Sequence, residues 1–193
     1  MKKSPMAALA LAALAATFAG CSTMSLKNPQ ARRQFADTVI GNWSSFSRLA
    51  AAGFMEEYGA PDQVRHDQLI WNDKGPWKRI KIWNVTPYYD SDLGADNIEQ
   101  TVAYLVPQDK HKELNAFSHE ILISQNGTEL SARGTSETAD FLTLNLADDI
   151  VLGRKTPEEA RRFYEQTIQL SLAGKASPYL RGLIFTPSPA ELR

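Results

Sequence analysis

Residues 48–83, RLAAAGFMEEYGAPDQVRHDQLIWNDKGPWKRIKIW, leave this chain few choices of fold. They read as the end of an amphipathic helix, a stop at Tyr58-Gly59-Ala60-Pro61, a short strand, a tight turn at Gly75-Pro76 and a second strand. Glycine just past a helix end accepts the left-handed conformation that other residues resist, and a proline two residues on cannot continue the helix. A helix that runs into a hairpin predicts helices packed on an antiparallel sheet, an α+β fold. The composition is compatible with this: 193 residues, 43% hydrophobic and 22% charged, with a formal net charge of −1, fall in the ordinary globular range. A chain of this length buries roughly 70% of the surface its unfolded form exposes, enough for a core without staples. Its one cysteine excludes an internal disulfide.

Upstream, Phe35, Val39, Trp43, Phe46, Ala50 and Phe54 recur at steps of three and four, which predicts one long N-terminal helix over residues 30–58. Gly41 and Gly53 are the points at which it could kink or divide. Strands are predicted at residues 68–72, 77–83, 98–106, 120–124 and 129–133, giving an antiparallel sheet of three to five strands, with a short charged helix over 107–117. Two C-terminal helices follow. Ser136 precedes the stripe Ala139, Leu142, Leu146 and Ile150, and Thr156-Pro157-Glu158-Glu159 has the threonine, proline and glutamate of a capping box. Tyr179, Leu180, Leu183, Ile184 and Phe185 give the tail enough apolar surface to dock.

The N-terminus carries an address. Lys2 and Lys3 precede an alanine- and leucine-rich run ending at Phe18, too short for a membrane span of about 20 residues, so residues 1–20 read as a secretory signal. Thr17-Phe18-Ala19-Gly20-Cys21 resembles the lipobox of bacterial lipoproteins, with Phe18 where leucine is usual. That resemblance implies cleavage before Cys21, acylation of its thiol, and, because Ser22 rather than aspartate follows, an outer-membrane protein facing the periplasm. Residues 21–29 would be a polar tether and 30–193 a single α+β domain. The lipid bilayer is then the first partner, held through Cys21; several acyl chains at about 0.8 kcal/mol per buried methylene hold firmly where one is marginal.

No catalytic signature stands out. There is no G-x-S-x-G, and His66, His111 and His119 lack metal-ligand spacing. Asp90, Asp92 and Asp96 alternate in a loop, but Gly94, Ala95 and Thr101 occupy the positions where a calcium hand needs an oxygen ligand, glycine and glutamate, so neither metal nor cofactor is expected. A nucleic-acid partner is not expected either, since the chain has no basic domain. The second strand of the hairpin offers the one candidate interaction face, Trp77, Arg79, Lys81 and Trp83, suited to a headgroup boundary or an envelope protein partner. The alternative is an aromatic ladder under a helix with the basic residues at its rim.

The order helix, Tyr58-Gly59-Ala60-Pro61-Asp62-Gln63-Val64, tryptophan-bearing hairpin resembles the small outer-membrane lipoproteins of the SmpA/OmlA (BamE-like) class. Over residues 30–105 it implies helices followed by a three-stranded antiparallel sheet. Y-G-x-P at Tyr58, G-P-W-K-R at Gly75 and L-x-L-N-L-A-D-x-I-V at Leu142 are also similar to a set of uncharacterised bacterial proteins that bring no function with them. The expected role is a non-catalytic binding or assembly-support module; an envelope hydrolase without a readable motif and a carrier of an apolar ligand are the alternatives.

Overall fold

The computed structural model describes residues 28–86 and 96–188. The signal segment, Cys21, the tether up to Lys27, and Asp90 and Asp92 lie outside the described residues. Asn28 caps the first helix by accepting from Gln30 N at 2.9 Å, and Pro29 takes the first position, where its missing N–H is not needed. The single long helix expected over 30–58 is two, α1 (Pro29–Ile40) and α2 (Ser45–Tyr58). The break follows from tertiary bonds that periodicity does not register. Trp43, buried at the break, donates its indole N–H to His66 O at 2.8 Å. Ser44 caps α2 by accepting from Ser47 N, donates its own backbone N–H to Asn84 Oδ1 at 3.0 Å, and donates its hydroxyl to Val85 O at 2.6 Å. One turn of chain separates the helices, so the apolar stripe runs on as though nothing had happened.

Gly59, with φ 75, ends α2 as expected, and its carbonyl accepts from the Trp71 indole at 2.9 Å, which ties the helix end to the sheet. Among the described residues the sheet has six strands rather than three to five: β1 (Gln63–Val64), β2 (Gln68–Lys74), β3 (Trp77–Trp83), β4 (Ile98–Ala103), β5 (Ile121–Ile123) and β6 (Glu129–Gly134), in the order β1-β2-β3-β4-β6-β5, all antiparallel. The additional strand, β1, has two residues and is too short to show alternation in sequence. Gly75, with φ 54, and Pro76 form the tight turn of the β2–β3 hairpin; positive φ at the first central position with proline at the second is the II′ arrangement.

A short helix α3 (His111–Phe117) crosses to β5, and two longer ones follow, α4 (Glu137–Val151) and α5 (Pro157–Leu172). Ser136 and Thr156 cap them, Thr156 with the reciprocal Glu159 bond of a capping box. Helix α2 packs on β2 and β3, and α4 on β4 and β6, with α3 and α5 against α4. Leu69, Trp71, Ile80, Ile82, Val102 and Leu130 face them from the sheet, each fully buried. Burying such a side chain contributes about 1.5–3 kcal/mol. Helix α4 is buried nearly all round, because the C-terminal tail covers the side that the sheet does not. Its Asn145 donates to Tyr179 O and Gly182 O and accepts from Ile184 N, and so fixes the tail by three backbone bonds.

Candidate functional site

Side chains alternate along a strand, so the face of the sheet away from α2 and α4 carries the other half of each strand. Pairing places Lys81, Glu99 and Arg133 in one row across β3, β4 and β6, and Arg79, Thr101 and Ser131 in the next. Lys81 Nζ lies 2.7 Å from Glu99 Oε1 and Arg133 Nη2 lies 3.0 Å from Glu99 Oε2, with Glu99 only 4% exposed. Lys78 Nζ and Arg79 Nη2 sit 2.8 and 2.9 Å from the two oxygens of Glu129. Hydrogen bonding from Lys78, joined by Arg79, holds that carboxyl below its ordinary range against desolvation. The half-buried Trp83 ring has the Arg133 guanidinium 5.2 Å and the Lys81 ammonium 6.0 Å from its centre, within cation–π range.

Three of the four residues expected on one face therefore meet there: Arg79, Lys81 and Trp83. Trp77 does not join them. At the hairpin tip, next to the Gly75-Pro76 turn, Trp77 lies against the helices, where it is 1% exposed and stacks on Phe141 of α4 at 5.0 Å. Its indole N–H donates to Glu137 Oε1 at 2.6 Å. The same oxygen accepts from Tyr58 OH at 2.5 Å and Gln100 Nε2 at 2.9 Å, so one carboxylate joins α2, β3, β4 and α4. Burial, then the bond to Glu137, raises the Tyr58 phenol well above its usual range.

A second constellation lies at the opposite rim, where α3, α4, α5 and the start of β5 meet. Phe117, Ser118, Glu120, Thr143, Arg161, Tyr164 and Glu165 line a cavity of about 130 Å³. One turn before Thr143 on α4 stands Asp140, 1% exposed, with neither carboxylate oxygen hydrogen-bonded. A side chain on Gly134 would come within 2.5 Å of Asp140 Oδ1, so β6 ends in glycine where the carboxyl needs room. Burial drives Asp140 well above the ordinary carboxylate range, and the charges that add to it, Glu120, Asp96, Glu137 and Glu99, are all negative. Glu120 and Asp96 are raised too, each by desolvation first, and burial with the charges of Glu120 and Asp140 pushes Tyr164 up to about 12. No family model, curated protein or solved structure matches the chain. Asp140 does not belong to the apolar stripe Ala139, Leu142, Leu146 and Ile150 that the spacing predicts for α4. The signal was present: Asp140, Leu144 and Ala147 share a helical face at steps of four and three, which puts an acid among core residues.

Elsewhere the chemistry is structural. Among the described residues no hydrogen bond joins His111 or His119 to a carboxylate; His66 Nδ1 lies 3.4 Å from Asp67 on an exposed turn. Two acids near the C-terminal end of α4, where the helix dipole disfavours them, are matched by the next cations in the chain: Arg154 reaches Asp148 and Asp149 at 2.5 and 2.6 Å, and Lys155 reaches Asp149 at 2.5 Å. Burial pushes Asp149 up, but the bonds from Lys155, Tyr179 and Arg154 outweigh it and hold the carboxyl low. The space between the sheet and its helices is filled by Met55, Trp71, Trp77 and Leu142, each buried, and the cavity at Glu120 lies beyond them at the rim.

The raised carboxyl of Asp140 has a measurable consequence. A folded-state pKa above the unfolded value contributes stability that is complete below about pH 4 and lost as the pH rises through the folded value. Asp140→Asn removes that loss, so at neutral pH the variant should be more stable than the parent by about 1–3 kcal/mol, with the gain shrinking toward about pH 4. Urea unfolding at several pH values reads this; a variant less stable at neutral pH would show that the carboxylate is compensated.

Proposed function

We propose that this chain is a lipid-anchored lipoprotein of the bacterial envelope that acts as a non-catalytic binding or assembly-support module, and that it docks an acidic surface of an envelope protein on the outer face of its sheet. The carrying observation is the charge of that face: four cations, Lys78, Arg79, Lys81 and Arg133, surround two carboxylates, Glu99 and Glu129, on a chain whose net charge is −1. Opposite potentials steer partners and fix register more than they add affinity, which suits an assembly role. Edge pairing is a poor alternative, because the edge strands β1 and β5 have two and three residues and offer a partner strand little ladder. Two helices followed by consecutive antiparallel strands β2, β3 and β4 are consistent with the likeness to SmpA/OmlA lipoproteins over residues 30–105.

A photo-crosslinking amino acid at position 83 or 133 should capture one envelope protein from intact cells, whereas position 49, exposed on α2, should not. Salt and Lys78→Glu should both weaken capture, since Lys78 is exposed and its reversal leaves the core alone. Equal capture from positions 49 and 83 would remove the outer face as the interface. The anchor has its own test: labelled palmitate incorporated by the parent and lost in Cys21→Ser.

A further inference from the structure

We propose that the cleft along α4 that holds residues 177–185 is a peptide-binding site filled by the chain's own tail, and that its outside partner is an extended segment of another protein with two aromatic side chains spaced as Tyr179 and Phe185 are. It lies on the helical side and is independent of the outer face of the sheet. The tail is held by its backbone. Asn145, fully buried, donates to Tyr179 O at 3.1 Å and Gly182 O at 2.8 Å and accepts from Ile184 N at 2.8 Å. Main-chain bonds supply affinity whatever the sequence, and side-chain pockets supply selectivity. A Cβ on Gly182 would meet nothing within 4 Å, so this position sets no limit on the side chain. Two sockets read the ends of the segment. Tyr179 lies 4.9 Å from the Phe163 ring and donates its hydroxyl to Asp149 Oδ2 at 2.7 Å, with the Lys155 ammonium 5.5 Å from its ring centre. Phe185 meets Tyr104 edge-on at 5.3 Å.

The tail differs from the rest of the fold in how little of it is sealed. Helices α1 to α5 each bury at least one side chain completely, Ala36, Ala51, Leu114, Leu142 and Ala160 among them, whereas no residue from 177 to 188 is buried. The surface beneath it is also polar. Asn145, Asp148 and Asp149, 0%, 4% and 1% exposed, share one stripe of α4, where a core face would be apolar. Such a stripe tolerates water. When the tail lifts, Asp148 and Asp149 keep Arg154 and Lys155, and Asn145 bonds to solvent, so opening the cleft strands no charge. The hinge for that movement is the run 173–176, exposed throughout, with Gly174 at φ 77.

A tethered segment competes at an effective concentration of about millimolar order, so a free peptide meets a filled cleft in the parent and gains access when the tail is weakened. Replacing Tyr179 and Phe185 weakens the tail and leaves the cleft intact, because Asn145, Asp149, Phe163 and Tyr104 all lie outside the tail.

Fluorescence anisotropy of a labelled synthetic peptide of residues 176–188 should show saturable binding to the full chain carrying Tyr179→Ala and Phe185→Ala, at least about tenfold tighter than to the parent. Adding Asn145→Ala to the chain, or replacing the same two aromatics in the peptide, should each weaken that binding about tenfold or more with circular dichroism unchanged. The parent gives an independent reading: the Ile184 amide, held by Asn145 Oδ1, should exchange with solvent by local opening while the amides inside α4 stay protected. No saturable binding to the double variant up to about 1 mM peptide, an affinity indifferent to Asn145→Ala, or an Ile184 amide as protected as those of α4 overturns the site. A double variant that does not fold also overturns it, because the tail is then part of the core. A parent that is dimeric where the double variant is monomeric would make the occupant a second copy of this chain and overturn the assignment to another protein.

Discussion

Glu137→Ala should lower the unfolding free energy by about 3–5 kcal/mol, read as a fall in the urea midpoint at unchanged slope. Three donors from three different elements converge on one oxygen of this residue, and two of them are sealed from water: Trp77 is 1% exposed and Gln100 is fully buried. A hydrogen bond to a charged group contributes about 1.5–3 kcal/mol, and a buried donor left unpaired costs about 1–3 kcal/mol, so the three losses together exceed that of an ordinary surface acid even though they do not add. Gln100 is already under-satisfied, with Oε1 unpartnered, so its amide has no second anchor. The carboxylate also lies in the first turn of α4, where the dipole favours it by about 0.3–1 kcal/mol. Glu137→Gln keeps an acceptor oxygen and should cost only about 1–2 kcal/mol. With the alanine variant the Tyr58 phenol loses its carboxylate partner and should titrate nearer its ordinary range in an ultraviolet pH titration. An alanine variant within about 1 kcal/mol of the parent would mean that the three donors find water when Glu137 is gone.

What local chemistry dictates in this chain was readable in advance, and what tertiary contact dictates was not. Thr156, Pro157 and Glu159 cap α5 by bonds that span three residues, and Gly59 and Gly75 adopt positive φ where a helix end and a hairpin require it. The break at residues 41–44 depends on His66, Asn84 and Val85, each more than twenty positions away, so no window over the helix contains its cause. Alternation correctly grouped Arg79, Lys81 and Trp83. It failed at Trp77, which shares the parity of Arg79 but is held on the helical side by Phe141 and Glu137 of α4, residues some sixty positions away. Glu137 and Asp140 went unread for a related reason. An acid near a helix start is usually solvated, and only the sheet beneath α4 makes Glu137 an anchor for Trp77 and Gln100 and buries Asp140 against Gly134.

Exchanging Lys81 and Arg133 together for methionine should cost about 3–5 kcal/mol, because it leaves Glu99, 4% exposed, as a buried charge without a partner. Either exchange alone should cost much less, about 1–2 kcal/mol, since the remaining cation still holds one oxygen of Glu99. The coupling between the two substitutions, measured in a double-mutant cycle, should therefore be large and unfavourable. Adding Glu99→Met to the pair removes the stranded charge and sets three apolar side chains in one row across β3, β4 and β6. Buried ion pairs replaced by packed apolar groups are often neutral or stabilising, so the triple variant should recover most of the loss. That recovery separates two roles that the row could have. If the triple variant folds as well as the parent but no longer cross-links at position 83, the charges serve recognition, and the stability they confer is incidental to burying Glu99. If it folds and still captures the same protein, the cations of this row are structural, and the docking surface must be sought around Lys78, Arg79 and Glu129.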